Sequence, residues 1–313
     1  MRGVSSTLPS PFEGEGRVGV GWFMGIAISW QDVVQCIMNG FCMGGTYILI
    51  GLGLTLILSI MNILQFAHGE IYMLGAFTVY FLCVMHGVNL YLSVFISMLT
   101  TPVIGLIIER LLLRPLKGKF LSYVCVTTGL SLILQTVVML LFSKGVKQLP
   151  SLWRGPFDVA GMFVSRERFV AIVIALCLTL ALYLFLKQTK YGLAMTASAQ
   201  NREGALMQGI NPNVMSALVM AIGSGLAAVG GALGGSIFNL DPYMGGLAFM
   251  KGITLIVIGG LGSIPGAVVG GLILGVSESV LALFFGSQMG IILPLILVIA
   301  FLIFKPRGLF GHE

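Results

Sequence analysis

Long stretches without any Lys, Arg, Asp or Glu alternate along the chain with short segments that carry the charged residues. A helix needs about 20 predominantly apolar residues to cross a hydrocarbon core of about 30 Å. The longer stretches have room for two helices, so the pattern predicts eight or nine spans, with the uncertainty before residue 61 and around residues 259–266. The uncharged stretches are residues 33–67, 71–108, 120–143, 169–186, 204–240, 252–277 and 279–304.

The composition agrees with a chain that lies mostly in lipid. Hydrophobic residues make up 57% of its 313 residues and charged residues 9%, and the mean hydropathy is +1.03. A soluble domain of ordinary composition carries about 25% charged residues, which cover its surface. We therefore predict an all-α, polytopic integral membrane protein with broken or re-entrant segments between its helices.

Lys and Arg are spread unevenly between the two sets of loops that such helices would connect. Cytoplasmic loops of membrane proteins are enriched in Lys and Arg, so we assign the larger set to the cytoplasm. The larger set is Arg110, Arg114, Lys117, Lys119, Lys187, Lys190, Arg202, Lys305 and Arg307. The smaller set is Lys144, Lys147, Arg154, Arg166 and Arg168, with Lys251 near a span end.

The first 23 residues differ from the rest of the chain. They contain two Pro, several Gly and charges of both signs, and no apolar run. A secretory signal peptide needs an apolar core of about 7–15 residues, which is missing here. We expect residues 1–23 to be disordered or to lie upstream of the true start at Met24, and residues 24–313 to form the membrane domain.

Glycine is concentrated in the segment 259–275. Within it, Gly262, Gly266 and Gly270 recur every four residues, a spacing that lines one helix face and lets two backbones approach closely. A phosphate-binding loop would need a Lys directly after its glycines, and none follows. We predict helix packing, with a helix break at Pro265 because proline removes an internal hydrogen bond.

The sequence contains no recognisable catalytic or metal-binding pattern. Its three His and five Cys show neither metal-ligand spacing nor the arrangement of a nucleophile and its base. A free Cys in an apolar segment behaves as a small hydrophobic residue. We expect no enzyme activity, no metal and no cofactor in this chain.

The most polar segment between two predicted spans on the assigned inner side is residues 187–213. Residues 196–208 have the composition of a helix, Gly209 can end it, and Asn-Pro-Asn at 211–213 can turn the chain into the next span. A simple connection between two helices needs only about 2–8 residues. Two hypotheses stay open: an ordinary cytoplasmic connector, and a short helix that docks on a soluble partner.

The sequence MNILQFAHGEIYMLGAF, residues 61–77, gathers the polar side chains of Asn62, Gln65, His68 and Glu70 in an apolar region. A charged side chain at the bilayer centre costs about 2.5–3.5 kcal/mol on insertion scales, so Glu70 must face protein, water or an interface. One hypothesis is a broken helix whose polar groups line a solute path, as in many transporters. The alternative is an inner-side turn whose His and Glu cap the next helix.

The predicted spans hold few other carboxylates, namely Asp241 and Glu278. We place Asp241 on the same solute path, with Lys251 as its candidate partner near a span end. An ion-coupled carrier should show more carboxylates inside the membrane than this chain does.

Several segments together resemble the branched-chain amino acid ABC transporter permeases of the LivH type. Residues 61–77 are similar to that family's N-F-A-H-G-E-x-Y-M-L-G-A segment, and residues 239–278 to its long glycine-rich segment with G-G-x-G-S. ALMQGIN, residues 205–211, resembles the A-x-L-x-G-I-N that ends its cytoplasmic coupling loop, and KPRGLFG at 305–311 also fits. The resemblance covers residues 30–311.

The resemblance implies one of two related membrane subunits, usually paired as a heterodimer, with two cytoplasmic ATPases and a periplasmic binding protein. It implies inward transport of leucine, isoleucine and valine across the bacterial cytoplasmic membrane, with ATP bound by the separate ATPase subunits. Carried over by position, the ATPase-coupling element would comprise Gly192, Asn201, Glu203, Ala205, Met207, Gly209 and Ile210.

The chain departs from the family pattern at a few positions. Leu193 and Thr196 stand where the family usually has Arg, and Asn201 stands where Asp is common, so the docking surface is less charged. Gln65 replaces a common Asn before the H-G-E motif. A urea or short-amide permease of the same superfamily stays open as an alternative, as does a stand-alone secondary transporter or channel.

Overall fold

The computed structural model of the chain describes residues 19–23, 26–116, 118–150, 156–159, 162–305 and 308–310. The α-helices among these residues are α1 (Trp30–Met61), α2 (His68–Tyr80), α3 (Leu90–Ile108), α4 (Phe120–Phe142), α5 (Arg166–Gln188), α6 (Lys190–Gln200), α7 (Arg202–Met207), α8 (Pro212–Ile237), α9 (Met244–Gly259), α10 (Ile264–Phe285) and α11 (Ser287–Phe304). The strands are β1 (Gly19–Phe23), β2 (Ile26–Ser29), β3 (Pro156–Val159) and β4 (Met162–Ser165).

Eight helices in the described part of the chain are long and apolar enough to cross a membrane, which confirms the prediction of an all-α, multi-span protein. They are α1, α2, α3, α4, α5, α8, α10 and α11. A π-helical turn at Phe81–Met85 lengthens α2. A π-helical turn at Glu109–Leu113 and a 3-10 turn at Arg114–Leu116 lengthen α3. The apolar helix α9 has 16 residues, fewer than the about 20 that a span needs. Residues 259–266 therefore contain the join between a short helix and a full span.

The long helix α1 forms the centre of the bundle. It packs against α5, α8, α9 and α10, and 83% of its most apolar 18-residue window is buried. Helices α2 and α3 pack on α8 and complete the same core. The corresponding buried share is only 11% in α4 and 18% in α11, so these two helices lie at the periphery. Their exposed apolar side chains suit a surface that faces lipid.

Glycines let α1 and α10 touch backbone to backbone. A Cβ on Gly40 of α1 would lie 2.6 Å from the Cα of Val276, and one on Gly44 would lie 2.8 Å from the carbonyl oxygen of Gly271. Real Cβ atoms do not come this close to a neighbouring backbone, so both positions exclude a larger side chain. Small residues bring membrane helices together in this way.

Two details predicted for the glycine-rich segment are wrong. Gly262 does not share a helix face with Gly266 and Gly270, because it lies in the turn between α9 and α10 with a φ of +82°. Pro265 does not break a helix either. It stands in the first turn of α10, where its missing N–H has no helical partner to lose. The break precedes it, at residues 260–263.

The two glycines that remain on α10 face the short helix α9. A Cβ on Gly266 would lie 2.7 Å from the carbonyl carbon of Gly259, and one on Gly270 would lie 3.2 Å from the carbonyl carbon of Leu255. Every atom met is a backbone atom, so no side chain can turn aside to make room. The spacing between α9 and α10 is thus set by glycine.

Two short antiparallel hairpins accompany the helices in the described residues, β1 with β2 and β3 with β4. Residues 19–23 of the predicted N-terminal extension are therefore in a strand. Residues 1–18 and Met24 lie outside the described residues, and the start at Met24 stays a prediction. The basic loop residues that also lie outside them are Lys117, Arg154 and Arg307.

Two residues of the larger basic set, Lys119 and Arg202, lie together at one end of the bundle. A pocket of about 230 Å³ at that end is lined by Asn62 and Lys119, from the segments before α2 and α4, and by Arg202, the first residue of α7. The loop after α4 instead pairs with the segment before α9, where the N–H groups of Lys147 and Leu240 each donate to the other's carbonyl at 2.9 Å. Because α4 runs between them, Lys119 and Lys147 lie at opposite ends of the bundle.

Candidate functional site

The segment between α1 and α2 turns back into the bundle. Asn62 follows the last residue of α1 with a φ of +57°, a left-handed conformation that non-glycine residues rarely adopt. α2 then begins at His68, whose Nε2 would lie 2.6 Å from a Cβ on Gly53 of α1. Gly53 is about 12 Å from the end of α1, at 1.5 Å per residue. α2 therefore starts well inside the bundle, as a broken helix does.

Glu70, in the first turn of α2, is buried between α2, α4 and α9. Its Oε1 accepts hydrogen bonds from Gln135 Nε2 at 2.7 Å and from Ser131 Oγ at 3.1 Å, both on α4. Its Oε2 is buried without a hydrogen-bond partner among the described residues and faces the backbone of Gly245 in α9. The carboxyl group thus lies at the start of two helices, whose N-terminal ends attract negative charge.

Gln65 and His68 lie on either side of the turn that leads into α2, and both are fully buried. Neither amide atom of Gln65 has a hydrogen-bond partner among the described residues. A buried polar group in a native protein is nearly always paired with protein, with water or with a ligand. We therefore expect water or a polar group of a bound molecule beside Gln65.

A second polar cluster joins α1, α9 and α10. Lys251 Nζ lies 2.7 Å from Glu278 Oε1 and 2.9 Å from Oε2, and it donates to the hydroxyl of Tyr47 at 2.5 Å. Tyr47 in turn donates to Glu278 Oε2 at 3.0 Å. The predicted pairing of Lys251 with Asp241 near a span end is wrong, because Lys251 lies in the interior of α9. A charge inside an apolar helix pairs with the opposite charge on the helix packed against it.

The sequence pattern did not indicate that Tyr47 belongs to this cluster. Tyr47 lies within an apolar run of α1, and a single aromatic residue there is an ordinary core residue. The usable signal was the isolated charge of Lys251, since an intramembrane Lys must find a partner on a neighbouring helix. Which helix supplies it depends on packing, and packing cannot be read from spacing along the chain.

Asp241 lies in the turn that leads into α9. Its Oδ1 accepts a hydrogen bond from the Tyr243 N–H at 2.7 Å, a local contact that fixes the turn. Asp241 and Lys251 line the same cavity, of about 300 Å³. Asn62, by contrast, lines the pocket at the end of the basic loops. The predicted path residues are thus spread over two pockets and the buried start of α2.

The connector between α5 and α8 folds as two helices, whereas the sequence predicted one over residues 196–208. α6 begins earlier than predicted because Thr189 caps it, with its Oγ1 accepting from the Gly192 N–H at 3.0 Å. The chain breaks at Asn201, whose Oδ1 accepts from the Gly204 N–H at 2.8 Å and so caps α7. These two caps override the helix-forming composition of the segment.

The short helix α7 has an exposed apolar end. Met207 is 87% exposed and Leu206 beside it is 52% exposed, while Ala205 is buried. Glu203 is exposed on the same short helix. Methionine is a flexible apolar side chain that adapts to partner surfaces. This exposed pair favours docking on another protein over the hypothesis of a plain connector.

Glycines shape both ends of the connector. Gly209 has a φ of +79° and ends α7, and the N–H of Ile210 donates to the carbonyl of Ala205 at 3.0 Å, which closes the helix end. Gly192 lies in the first turn of α6, where a Cβ would be 2.5 Å from the Cα of Leu186. α6 is therefore held tightly against the end of α5.

Known proteins match the chain along most of its length. The family described as "Branched-chain amino acid transport system / permease component" matches residues 36–302. The chain belongs to this family. It is 36% identical over 294 residues to the high-affinity branched-chain amino acid transport system permease protein BraD of Pseudomonas aeruginosa, which covers 89% of this chain and 96% of that protein.

Two further relatives extend the range of organisms. The high-affinity branched-chain amino acid transport system permease protein LivH of Salmonella typhimurium is 33% identical, again over 89% of this chain and 96% of that protein. The probable branched-chain amino acid transport permease protein LivH of Methanocaldococcus jannaschii is 29% identical over 85% of this chain and 89% of that protein. The resemblance seen in the sequence is thereby confirmed.

This branched-chain amino acid permease departs from the usual motif in two different environments. Leu193 and Thr196, which replace common Arg residues, are both exposed on α6. Gln65, which replaces a common Asn, is buried in the turn before α2. Leu193 and Thr196 therefore change the exposed surface of α6, which a partner protein would contact. Gln65 changes the polar interior of the permease.

Proposed function

We propose that the chain is the membrane-spanning subunit of an ATP-driven importer that moves branched-chain amino acids inward across the bacterial cytoplasmic membrane. The observation that carries this proposal is the family match over residues 36–302. Eight apolar helices and a helix that starts inside the bundle support a transport path through the chain. BraD and LivH, named as permeases of such transport systems, are similar to it over nearly their whole length.

The proposed transporter contains a second, related permease subunit, two cytoplasmic ATPases and a periplasmic binding protein. The exposed side chains of Leu206 and Met207 on α7 support an ATPase contact, since they form apolar surface on a capped helix. Movement of α7 and α6 on ATP binding would reach α5 through the close contact at Gly192. In this proposal ATP is bound only by the ATPase subunits.

The proposed solute path passes the buried start of α2. Glu70 Oε2 and the amide of Gln65 supply polar atoms that have no partner among the described residues. Discontinuous helices offer such groups to solutes near the middle of many transporters. Gln135 and Ser131, which hold Glu70 Oε1, lie on the peripheral helix α4, so a shift of α4 would alter the polar groups that line the path.

Uptake of labelled leucine tests the proposed solute. Cells with and without the gene are compared in a strain that lacks other leucine carriers, with excess isoleucine, alanine or urea as competitors. We expect deletion to abolish leucine uptake and isoleucine to compete with it. Equal leucine uptake with and without the gene would contradict the proposal, and labelled urea would then be measured.

Expression of the permease alone separates an ATP-driven importer from a secondary transporter. The chain is expressed either with its ATPases, second permease and binding protein or without them, at equal membrane levels. We expect leucine uptake only with the complete set. Uptake by the chain alone would identify a stand-alone carrier.

A further inference from the structure

A cavity of about 300 Å³ lies between α1, α2, α9, α10 and α11, beside the segment that leads into α9. Much of its wall is apolar and includes Leu247, Ala248 and Ile291. The Lys251–Glu278 ion pair lines the same cavity. Small-molecule sites share this character, being largely apolar cavities of about 300–1,000 Å³ with a few placed polar groups.

The ion pair finds all its partners within the described residues of the protein. The three N–H donors of Lys251 match three acceptor oxygens within 2.9 Å, the Tyr47 hydroxyl and both carboxylate oxygens of Glu278. The ammonium group also lies 4.4 Å from the centroid of the Tyr47 ring, where it gains a cation–π contact. The cluster of Lys251, Glu278 and Tyr47 therefore carries no net charge, and neither charged group is unpaired.

The ion pair is nevertheless open on one side. The side chain of Lys251 is 20% exposed and that of Glu278 is 10% exposed. Charged groups inside membrane spans face the bundle interior or a water-filled cavity, because lipid cannot solvate them. The open side therefore faces the cavity, and a polar molecule in the cavity can reach both charges.

We propose that this cavity binds the head group of an α-amino acid zwitterion. The carboxylate of the amino acid accepts from Lys251 Nζ and the Tyr47 hydroxyl, its ammonium group donates to Glu278, and its aliphatic side chain packs on the apolar wall. A neutral zwitterion exchanges partners with a neutral ion pair, so the net charge of the site is the same before and after release. This inference rests on the proposed function, since it places the imported amino acid.

Asp241 determines which way round the zwitterion lies in the cavity. It lines the same cavity from the segment before α9, whereas Lys251 lies two turns into that helix. Its negative charge repels the carboxylate of the zwitterion from the segment before α9, so the carboxylate lies toward Lys251 and the ammonium group can donate to Glu278. A molecule with an amide in place of the carboxylate would lack the partner that Lys251 needs when it leaves Glu278.

Two double variants separate binding from a purely structural role of the ion pair. Lys251→Gln with Glu278→Gln removes both charges and keeps hydrogen-bonding groups, whereas Lys251→Glu with Glu278→Lys keeps a pair but reverses it. Neither leaves one charge buried alone, so both should fold. The matched control is Thr254→Val, one turn further along α9, where the lost hydroxyl donates to the Met250 carbonyl outside the cavity.

The variants are measured in the complete transporter, with its ATPases and binding protein, reconstituted in lipid vesicles. We expect both double variants to keep the wild-type melting midpoint and the ATPase activity that leucine-loaded binding protein stimulates. Their uptake of labelled leucine should fall by about tenfold or more, because the first variant offers no charge to the head group and the second offers its two charges in exchanged positions. Thr254→Val should take up leucine as the wild type does.

Leucine uptake at the wild-type rate in either double variant would overturn the proposed site and leave the proposed function intact. Absence of leucine uptake by both the wild type and Thr254→Val would instead overturn the proposed function, and the head-group site would fall with it.

Discussion

Replacing Gly270 by alanine tests how tightly α9 is held on α10. The new methyl carbon would meet the carbonyl oxygen of Leu255 at less than van der Waals distance, and it would lie 3.2 Å from the carbonyl carbon of Leu255 and 3.3 Å from the nitrogen of Gly259. All three atoms belong to the backbone of α9, so the whole helix must move away. That movement separates Lys251 on α9 from Glu278 on α10.

The expected loss of stability follows from two opposing contributions. Overpacking a closely packed site typically costs about 1–3 kcal/mol, and a contact made only with backbone belongs at the upper end of this range. Alanine gains about 1 kcal/mol over glycine inside a helix. We expect Gly270→Ala to lower the free energy of unfolding by about 2 kcal/mol, which corresponds to a midpoint lower by about 3 °C for a chain of 313 residues.

The matched control is Gly129→Ala in α4, where a Cβ meets nothing within 4 Å. This variant gains the helix preference of alanine without any overpacking, so its midpoint should rise slightly. Both midpoints are measured by thermal unfolding of the purified protein in the same detergent, with the fraction that remains monodisperse as the signal. A midpoint of Gly270→Ala equal to or above that of Gly129→Ala would refute the close backbone contact.

Two further predictions concern the transport path and its coupling. Glu70→Gln keeps an acceptor oxygen for Gln135 and Ser131, so we expect it to lower leucine uptake more than it lowers the amount of folded protein. Leucine uptake equal to that of the wild type, at equal expression, would leave Glu70 only a capping role. Gly209→Pro fixes φ near −65° and removes the N–H that donates to the Leu206 carbonyl, so it disrupts the end of α7. We expect this variant to hydrolyse more ATP per leucine imported than the wild type. An unchanged ratio would count against docking of the ATPase at α7.

The spanning helices were predictable because hydrocarbon imposes a length and a composition on each of them. The boundary between α9 and α10 was harder to predict, because one uncharged stretch, residues 252–277, runs from the middle of α9 into α10 without a charged residue at the turn. The chain is broken there by the positive φ of Gly260 and Gly262, +101° and +82°. A glycine in a run of glycines does not reveal from sequence whether it packs a helix or turns the chain.

The candidate site was predictable as a list of polar residues but not as a geometry. Glu70 was notable because a carboxylate stood in an apolar region, whereas its donors Gln135 and Ser131 lie more than sixty residues away on a helix of ordinary apolar pattern. The partner of Lys251 was predicted wrongly for the same reason, because helix packing cannot be read from the sequence. Nearness to Asp241 in sequence suggested a pair, and the packing of α9 on α10 supplied Glu278 instead.

The ion pair between α9 and α10 also has a consequence for how the chain enters the bilayer during synthesis. α9 leaves the ribosome first, with 16 residues and a Lys in its middle, and a lone Lys at a helix centre opposes insertion by about 2.5–3.5 kcal/mol. Its counter-charge, Glu278, emerges 27 residues later. We therefore expect α9 to wait at the membrane surface until α10 has been made, and the two helices to insert together as a hairpin.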